Sequence, residues 1–433
     1  MKRKMIAMIL ISALCFGTAC SVSDVAAEKG KKDKKTKGDV EYGELIEPDA
    51  RYDEKDVGDA YLEYVFDIYG RCAQNADDEN MMISPASIMM AMEIANAGAC
   101  GDTQDQITNA LFPGVETDEG LTFASDLVNK INEATGVDFS AANALWLNEN
   151  SYIMANGLND EYVDYCEDYF NAEVNNAPFS NATVDDINDW VDDNTNGMIP
   201  TIVDQLDPSA AAVILNAIAF EGEWAEQFED YQIDENGLFT NSEGRSQTVP
   251  MMNSTESTYF ESDLATGFIK YYEGGEYAFL AMLPKDESIN ANDFAAGLTA
   301  EDYLEFWNSS TSAYDVYIRM PEFSYDYEIG NMVGIFEDMG VEDAFSEDEA
   351  DFSNIAYAEG YNLYINQIIH KTHIEVDRDG TRAAAATAVI MYEACCEPVE
   401  VETRQVYLDR PFAYAIVDTA TGTPVFIGTV NNI

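Results

Sequence analysis

The order of elements along this chain predicts a single large α+β domain, and three observations carry the prediction. An apolar helical period of Tyr61, Val65, Phe66, Ile68, Tyr69 and Cys72 fills the stretch from Tyr52 to Asn75, and two further helix starts follow it. From Val213 to Phe220 and beyond, short apolar and β-branched runs of strand type appear. Neither a tandem repeat nor a linker-like gap interrupts residues 51–433. The two or three domains that 433 residues could form are therefore not expected.

A hydrophobic content of 47% is enough for a sizeable core. The net charge of −59 is extreme. Such a surface repels nucleic acid and anionic membranes and draws cationic partners in; solubility, or life in a salty habitat, accounts for it equally well. The seven cysteines, Cys15, Cys20, Cys72, Cys100, Cys166, Cys395 and Cys396, show no paired spacing. Neither a disulfide framework nor a zinc site is indicated.

Taken in order, Met1-Lys-Arg-Lys4 and the apolar run Met5 to Ala19 read as an export signal over residues 1–20, too short to span a bilayer. Gly17-Thr18-Ala19-Cys20 has the form of a lipoprotein box with Cys20 as the acylated residue, although Gly17 stands where Leu is usual. Ordinary signal cleavage competes with acylation. Residues 21–50, with six lysines from Lys29 to Lys37, read as a charged flexible tether, and 51–433 as the folded domain. Ser84-Pro85 caps and starts a helix. Gly98 to Ile107 reads as a helix end, a turn and a new start. Asn143 to Trp146, Val213 to Phe220, Val249 to Met252, Ala281 to Pro284 and Met320 to Phe323 read as strands. The segment around Ile187 to Val191 reads as a helix that exits at Thr195-Asn196-Gly197. Residues 409–430 read as a final hairpin turning at Thr421-Gly422.

One stretch is conformationally undecided. His373 to Val376 is β-rich and Asp379-Gly380 is a turn; Thr381 to Ala388 then holds little larger than a methyl group except Arg382. Four consecutive alanines favour helix, and the Thr, Val and Ile that follow favour strand. This stretch resembles the hinge of the reactive-centre loop in the serpins, a family of serine protease inhibitors; Gly380, Thr381, Ala383, Ala384, Ala385, Ala386 and Thr387 carry the match. Further matching motifs are Asn80 to Ile88, Gly101 to Ile107, Leu215-Asn216 through Trp224 to Phe228, Ala350-Asp351-Phe352-Ser353 and Asp409-Arg410-Pro411-Phe412. The resemblance covers about residues 55–433.

It implies a serpin fold: helices around a large mixed central sheet with smaller sheets, and an exposed reactive loop near the C-terminus. It also implies that a target protease cleaves the loop, which then inserts as a new central strand with the acyl-enzyme attached. Small residues suit this because they clear the gap, and alternate positions must face a core. With odd-numbered residues inward, the buried set is Thr381, Ala383, Ala385, Thr387, Val389 and Met391. Ser84, Ser87, Asn216 and His370 match the family's buried hydrogen-bond cluster where the sheet opens, and Trp224 its Trp at the top of the sheet. Fifteen residues counted from Gly380 put the cleaved bond between Ala394 and Cys395, with a slip of one or two residues nominating Glu393 or Cys395 instead. Arg378 departs from the pattern, since the family usually carries an acid there.

A catalytic centre of the chain's own is disfavoured. Only two histidines exist, and no Gly-x-Ser-x-Gly elbow accompanies them. His370 and His373 lack zinc-helix spacing, and Asp377-x-Asp379-Gly380 lacks the later ligands of a calcium loop. No cofactor and no metal is expected. Between Arg382 and Arg404 the chain has no Lys or Arg, so trypsin-like enzymes are excluded as targets. Small apolar bait points to elastase-, subtilisin- or chymotrypsin-like proteases. The expected protein is a secreted monomer, extracellular or held at the cell surface through a lipid on Cys20, in covalent acyl complex with a serine protease. Papain-like cysteine proteases as targets, and a non-inhibitory binding role, are the alternatives.

Overall fold

Local signals set the helix starts. Asp53 caps α1 (Glu54–Asn75), its side chain accepting from the backbone N–H groups of Lys55 and Asp56. Ser84 accepts from Ser87 N–H and caps α2 (Pro85–Gly98), with Pro85 in the first turn, where its missing N–H costs nothing. The structure is a computed structural model and describes residues 42–381 and 402–433.

The chain begins with α1, β1 (Met81–Ile83), α2, α3 (Gly101–Leu111), α4 (Thr117–Asn132), β2 (Val137–Asn148), α5 (Asp160–Phe170) and β3 (Glu173–Ala177). It continues through α6 (Asn181–Asn194), β4 (Ala212–Glu223), β5 (Ile233–Thr240), β6 (Ser246–Glu256), β7 (Tyr259–Glu261), β8 (Ala265–Tyr271) and β9 (Tyr277–Pro284). After α7 (Ala291–Gly297) and α8 (Ala300–Asn308) come β10 (Tyr314–Pro321), β11 (Phe323–Glu328), α9 (Met332–Asp338), β12 (Ile365–Val376) and β13 (Gly380–Thr381). The described chain ends with β14 (Glu402–Tyr407), β15 (Phe412–Asp418) and β16 (Pro424–Val430).

Three sheets result, in the orders β11-β12-β13-β4-β2-β3, β1-β16-β15-β9-β8-β7 and β14-β10-β6-β5. The first is mixed and central: β2 runs antiparallel to β4, while β12 runs parallel to it. It is covered on both faces, which is why β4 reads as an unbroken apolar run. Ile214, Ile218 and Phe220 of β4 join the main core with α1, α2 and α4, whereas Val213, Leu215, Ala217 and Ala219 meet Val184, Ile187 and Val191 of α6 in a second core. An α+β fold with a large mixed central sheet and smaller sheets was expected, and it is found. Residues 42–52 lie against the body: Tyr165 Oη donates to Ile46 O at 2.8 Å, Ala50 N to Thr122 Oγ1 at 3.1 Å and Gly43 N to Asn354 Oδ1 at 2.9 Å. The last part of the segment read as a tether therefore packs on α4 and α5.

Candidate functional site

The parallel strands β4 and β12 pair from Ala212↔Ile365 to Ile218↔Thr372 and then part. At the top, the two residues of β13 sit between them. Gly380 pairs with Glu223 and Thr381 with Gly222 on β4, and Thr381 with Val376 on β12. The sequence dictates this close approach. A Cβ on Gly380 would lie 2.2 Å from Gly222 O, so only glycine fits. Asp377 Oδ1 accepts from Asp379 N–H and Gly380 N–H at 2.8 and 3.1 Å, folding the turn expected at Asp379-Gly380. Thr381 is buried, and its hydroxyl meets Tyr272 Oη at 2.6 Å.

Trp224 closes the top of this gap. Its Nε1 donates to Asp377 O at 2.9 Å, its backbone N to Asp379 O at 3.0 Å, and its ring stacks on Tyr272 at 4.7 Å. Beside it Lys270, 3% exposed, pairs with Glu256 at 3.1 Å and lies over the Phe228 ring at 4.3 Å. Arg378, the departure noted in the sequence, has a partner of opposite sign. Its Nε donates to Glu322 Oε1 at 2.9 Å, and Glu235 and Asp230 flank it at 3.5 and 3.7 Å.

Lower in the gap the polar cluster assembles. His370, Asn216 and Asn143 stand in one row across β12, β4 and β2. His370 Nδ1 lies 2.5 Å from Asn216 Oδ1, and Ser84 N–H donates to His370 Nε2 at 3.2 Å. Because Nε2 accepts, the ring proton sits on Nδ1 and donates to Asn216. Asn216 Nδ2 donates toward Ser87 O, Ser87 Oγ and Asn143 Oδ1 at 2.8, 2.5 and 2.6 Å. Ser84 Oγ donates to Val425 O at 2.8 Å. Complete burial pushes the imidazole from its ordinary 6.5 down to about 3, so the ring is neutral. His373, three residues on, meets Asp326 at 2.8 Å.

Ser84, Ser87, Asn216 and His370 thus come together as read from the sequence. Trp224 stands apart from them, just past the end of β4 at the gap's mouth, the top-of-sheet place that the resemblance implies. Sequence reasoning missed Asn143, although a single amide ahead of Ala-Leu-Trp in an apolar strand was a usable signal. It also missed Tyr272 and Lys270, which nothing in their local pattern distinguishes. Ala383 to Thr387, Ala394, Cys395 and Cys20 lie outside the described residues. On the outer face, the linker from α6 to β4 lies across β12, with Lys371 Nζ donating to Thr201 O at 2.8 Å and Asn188 Oδ1 accepting from Ile202 N–H at 2.8 Å. The arrangement is a sheet with a wedge started at one end and a re-pairable polar row below it.

Comparison with known proteins meets this geometry. A family model described as Serpin (serine protease inhibitor) matches residues 59–433. A curated relative from Methanosarcina mazei, named an uncharacterized serpin-like protein, is 33% identical over 386 residues, 87% of each chain. Human neuroserpin is 27% identical over 387 residues, 86% of this chain and 90% of its own. Among solved structures, the native state of the thermophilic serpin tengpin superposes with a TM-score of 0.79 at 34% identity, covering 89% of this chain and 96% of its own. The latent state of tengpin gives 0.74 at 31% identity, covering 89% and 99%.

Proposed function

The chain belongs to the serpin family, and on that premise we propose that it inhibits serine proteases by trapping them on a loop that inserts between β4 and β12. One observation supports this above others: β13 already runs antiparallel to β4 in the register Thr381↔Gly222. Continued down β4, that register sets Ala383, Ala385, Thr387, Val389 and Met391 opposite Phe220, Ile218, Asn216, Ile214 and Ala212. Directly opposed residues of an antiparallel pair share a face. The odd-numbered set therefore faces the main core, where Ile214, Ile218 and Phe220 already lie. Thr387 arrives at Asn216, offering a hydroxyl where His370 is displaced.

Insertion separates β12 from β4 and adds a ladder on both sides of the new strand. Polar contacts of the His370–Asn216 row re-form with the newcomer, so the cost of parting is repaid on insertion rather than left as orphaned groups. The bond between Ala394 and Cys395 is the cleaved one, and the target is an elastase-, subtilisin- or chymotrypsin-like enzyme. On this reading residues 1–20 direct export, with Cys20 as the candidate for surface anchoring and ordinary signal cleavage as the alternative.

The test mixes the protein with an elastase, with trypsin and with papain. A band that survives denaturing electrophoresis is expected with elastase and absent with trypsin, and the released C-terminal peptide should begin at Cys395. Tight inhibition of trypsin, or clean cleavage by elastase with no covalent band, overturns the reading.

A further inference from the structure

Helix α2 underlies the central sheet, carries Ser84 and Ser87 at its start, and is buried at every position from Pro85 to Gly98. One of those positions is an acid. Glu93 is fully buried, and no ion pair is made to it among the described residues. Its Oε2 accepts from Asn96 Nδ2 at 3.0 Å, while its Oε1 has no donor. Asn96 mirrors this. Its Nδ2 also donates to Thr108 Oγ1 at 3.1 Å, and its Oδ1 has no donor. Two buried acceptors on neighbouring side chains, each left without a donor, are unfavourable.

A single proton removes both defects. We propose that Glu93 carries its proton in the native molecule and closes an acid–amide ring with Asn96, Oε1–H donating to Asn96 Oδ1 while Asn96 Nδ2–H donates to Oε2. The bookkeeping closes: one donor is added for two vacant acceptors, and a buried charge becomes neutral. The three-residue spacing on a helix puts the two side chains on one face.

The surroundings agree. From α1, Tyr64 faces the carboxyl, and from α5, Tyr165 does; burial holds both phenols neutral, and they donate to Pro85 O and Ile46 O respectively. The nearby thiols Cys72 and Cys166 are pushed up to about 12. From α3, Gln104 donates to the backbone O of Asn96 and Thr108 accepts from its side chain, and Thr108 passes the chain on to Thr117 at the start of α4. Among the described residues no Lys, Arg or His pairs with Glu93. Burial also moves Glu93 from its ordinary 4.5 up to about 8.

The sign of the pH effect follows. A carboxyl whose native value is raised contributes most below 4.5, and that contribution is lost as pH climbs to 8. The first test is infrared spectroscopy of the intact protein in heavy water near neutrality. One protonated carboxyl C=O stretch is expected, and it should vanish in Glu93→Gln. The second is the folded-to-unfolded ratio in urea, which should fall about tenfold per pH unit between pH 5 and 8 in wild type relative to Glu93→Gln. Gln keeps the ring as an amide pair, so the variant is expected to fold. The wild-type spectrum alone decides the matter if it does not. No protonated band near neutrality, or wild type and variant running parallel in pH, overturns the proposal.

Discussion

Acidifying the protein should weaken the native sheet through His370, and the size of the effect can be worked from its burial. In the closed molecule the ring is neutral, with an ionisation value of about 3 against an ordinary 6.5. Once β4 and β12 part, the imidazole meets water and recovers the ordinary value. A histidine whose native value is depressed contributes stability above 6.5 and loses it as pH falls toward 3. At pH 5 the opened state takes a proton that the closed state refuses, a difference of about 1.5 pH units or roughly 2 kcal/mol. On the proposed mechanism, loss of inhibition through parting of these strands should then run up to about thirtyfold faster at pH 5 than at pH 7. The assay is residual elastase inhibition after timed incubation at each pH. His370→Gln, which cannot titrate, should be faster at neutral pH and flat over the same range. If the variant keeps the wild-type pH slope, His370 is not the group that senses opening.

Three further perturbations test the top of the gap. Thr381→Arg puts a charge where the native hydroxyl is buried against Tyr272, so elastase should still cleave the loop while the covalent band disappears. Arg378→Glu should lower the melting temperature by a few degrees by facing Glu322, Glu235 and Asp230, at the scale of about 1 kcal/mol expected of a part-exposed pair. Adding Glu322→Arg should restore most of the loss, and a double-mutant cycle with no coupling would refute the pairing. Lys270→Met leaves Glu256 without its buried cation and should cost about 3 kcal/mol in urea unfolding, measured as a shift in midpoint at constant slope.

The fold was legible in the sequence where one local signal suffices. Ser84-Pro85, Thr421-Gly422 and the double-faced apolar run of β4 each fix a boundary or a burial pattern without help from the rest of the chain. The site was legible only through the family resemblance, which carried the cluster onto Ser84, Ser87, Asn216 and His370; local pattern alone would not single them out from other buried polar residues. Trp224 was placed by the same resemblance at the top of the sheet, and it lies there, bonded to the turn that leads into β13. The Arg378–Glu322 pair was out of reach, since the two residues are brought together by the antiparallel pairing of β11 with β12. Glu93 was passed over because one acid among 81 carries no signal until its burial is known.

His370 and Glu93 act on the same helix from opposite ends, and their pH responses have opposite sign. Parting of β4 from β12 exposes His370 but leaves the packing of Glu93 against α1, α3 and α5 in place, so loss of activity by strand separation should track His370 alone. Unfolding in urea exposes both groups. Between their ordinary values of 4.5 and 6.5, what His370 loses on acidification Glu93 regains, so this pair contributes no net slope there. Each single variant removes one arm and should unmask the other: His370→Gln should grow more stable toward pH 4.5, and Glu93→Gln less stable. Two slopes of the same sign would mean that at least one of these groups keeps its charge state through unfolding, and the assignment of its native protonation would fall.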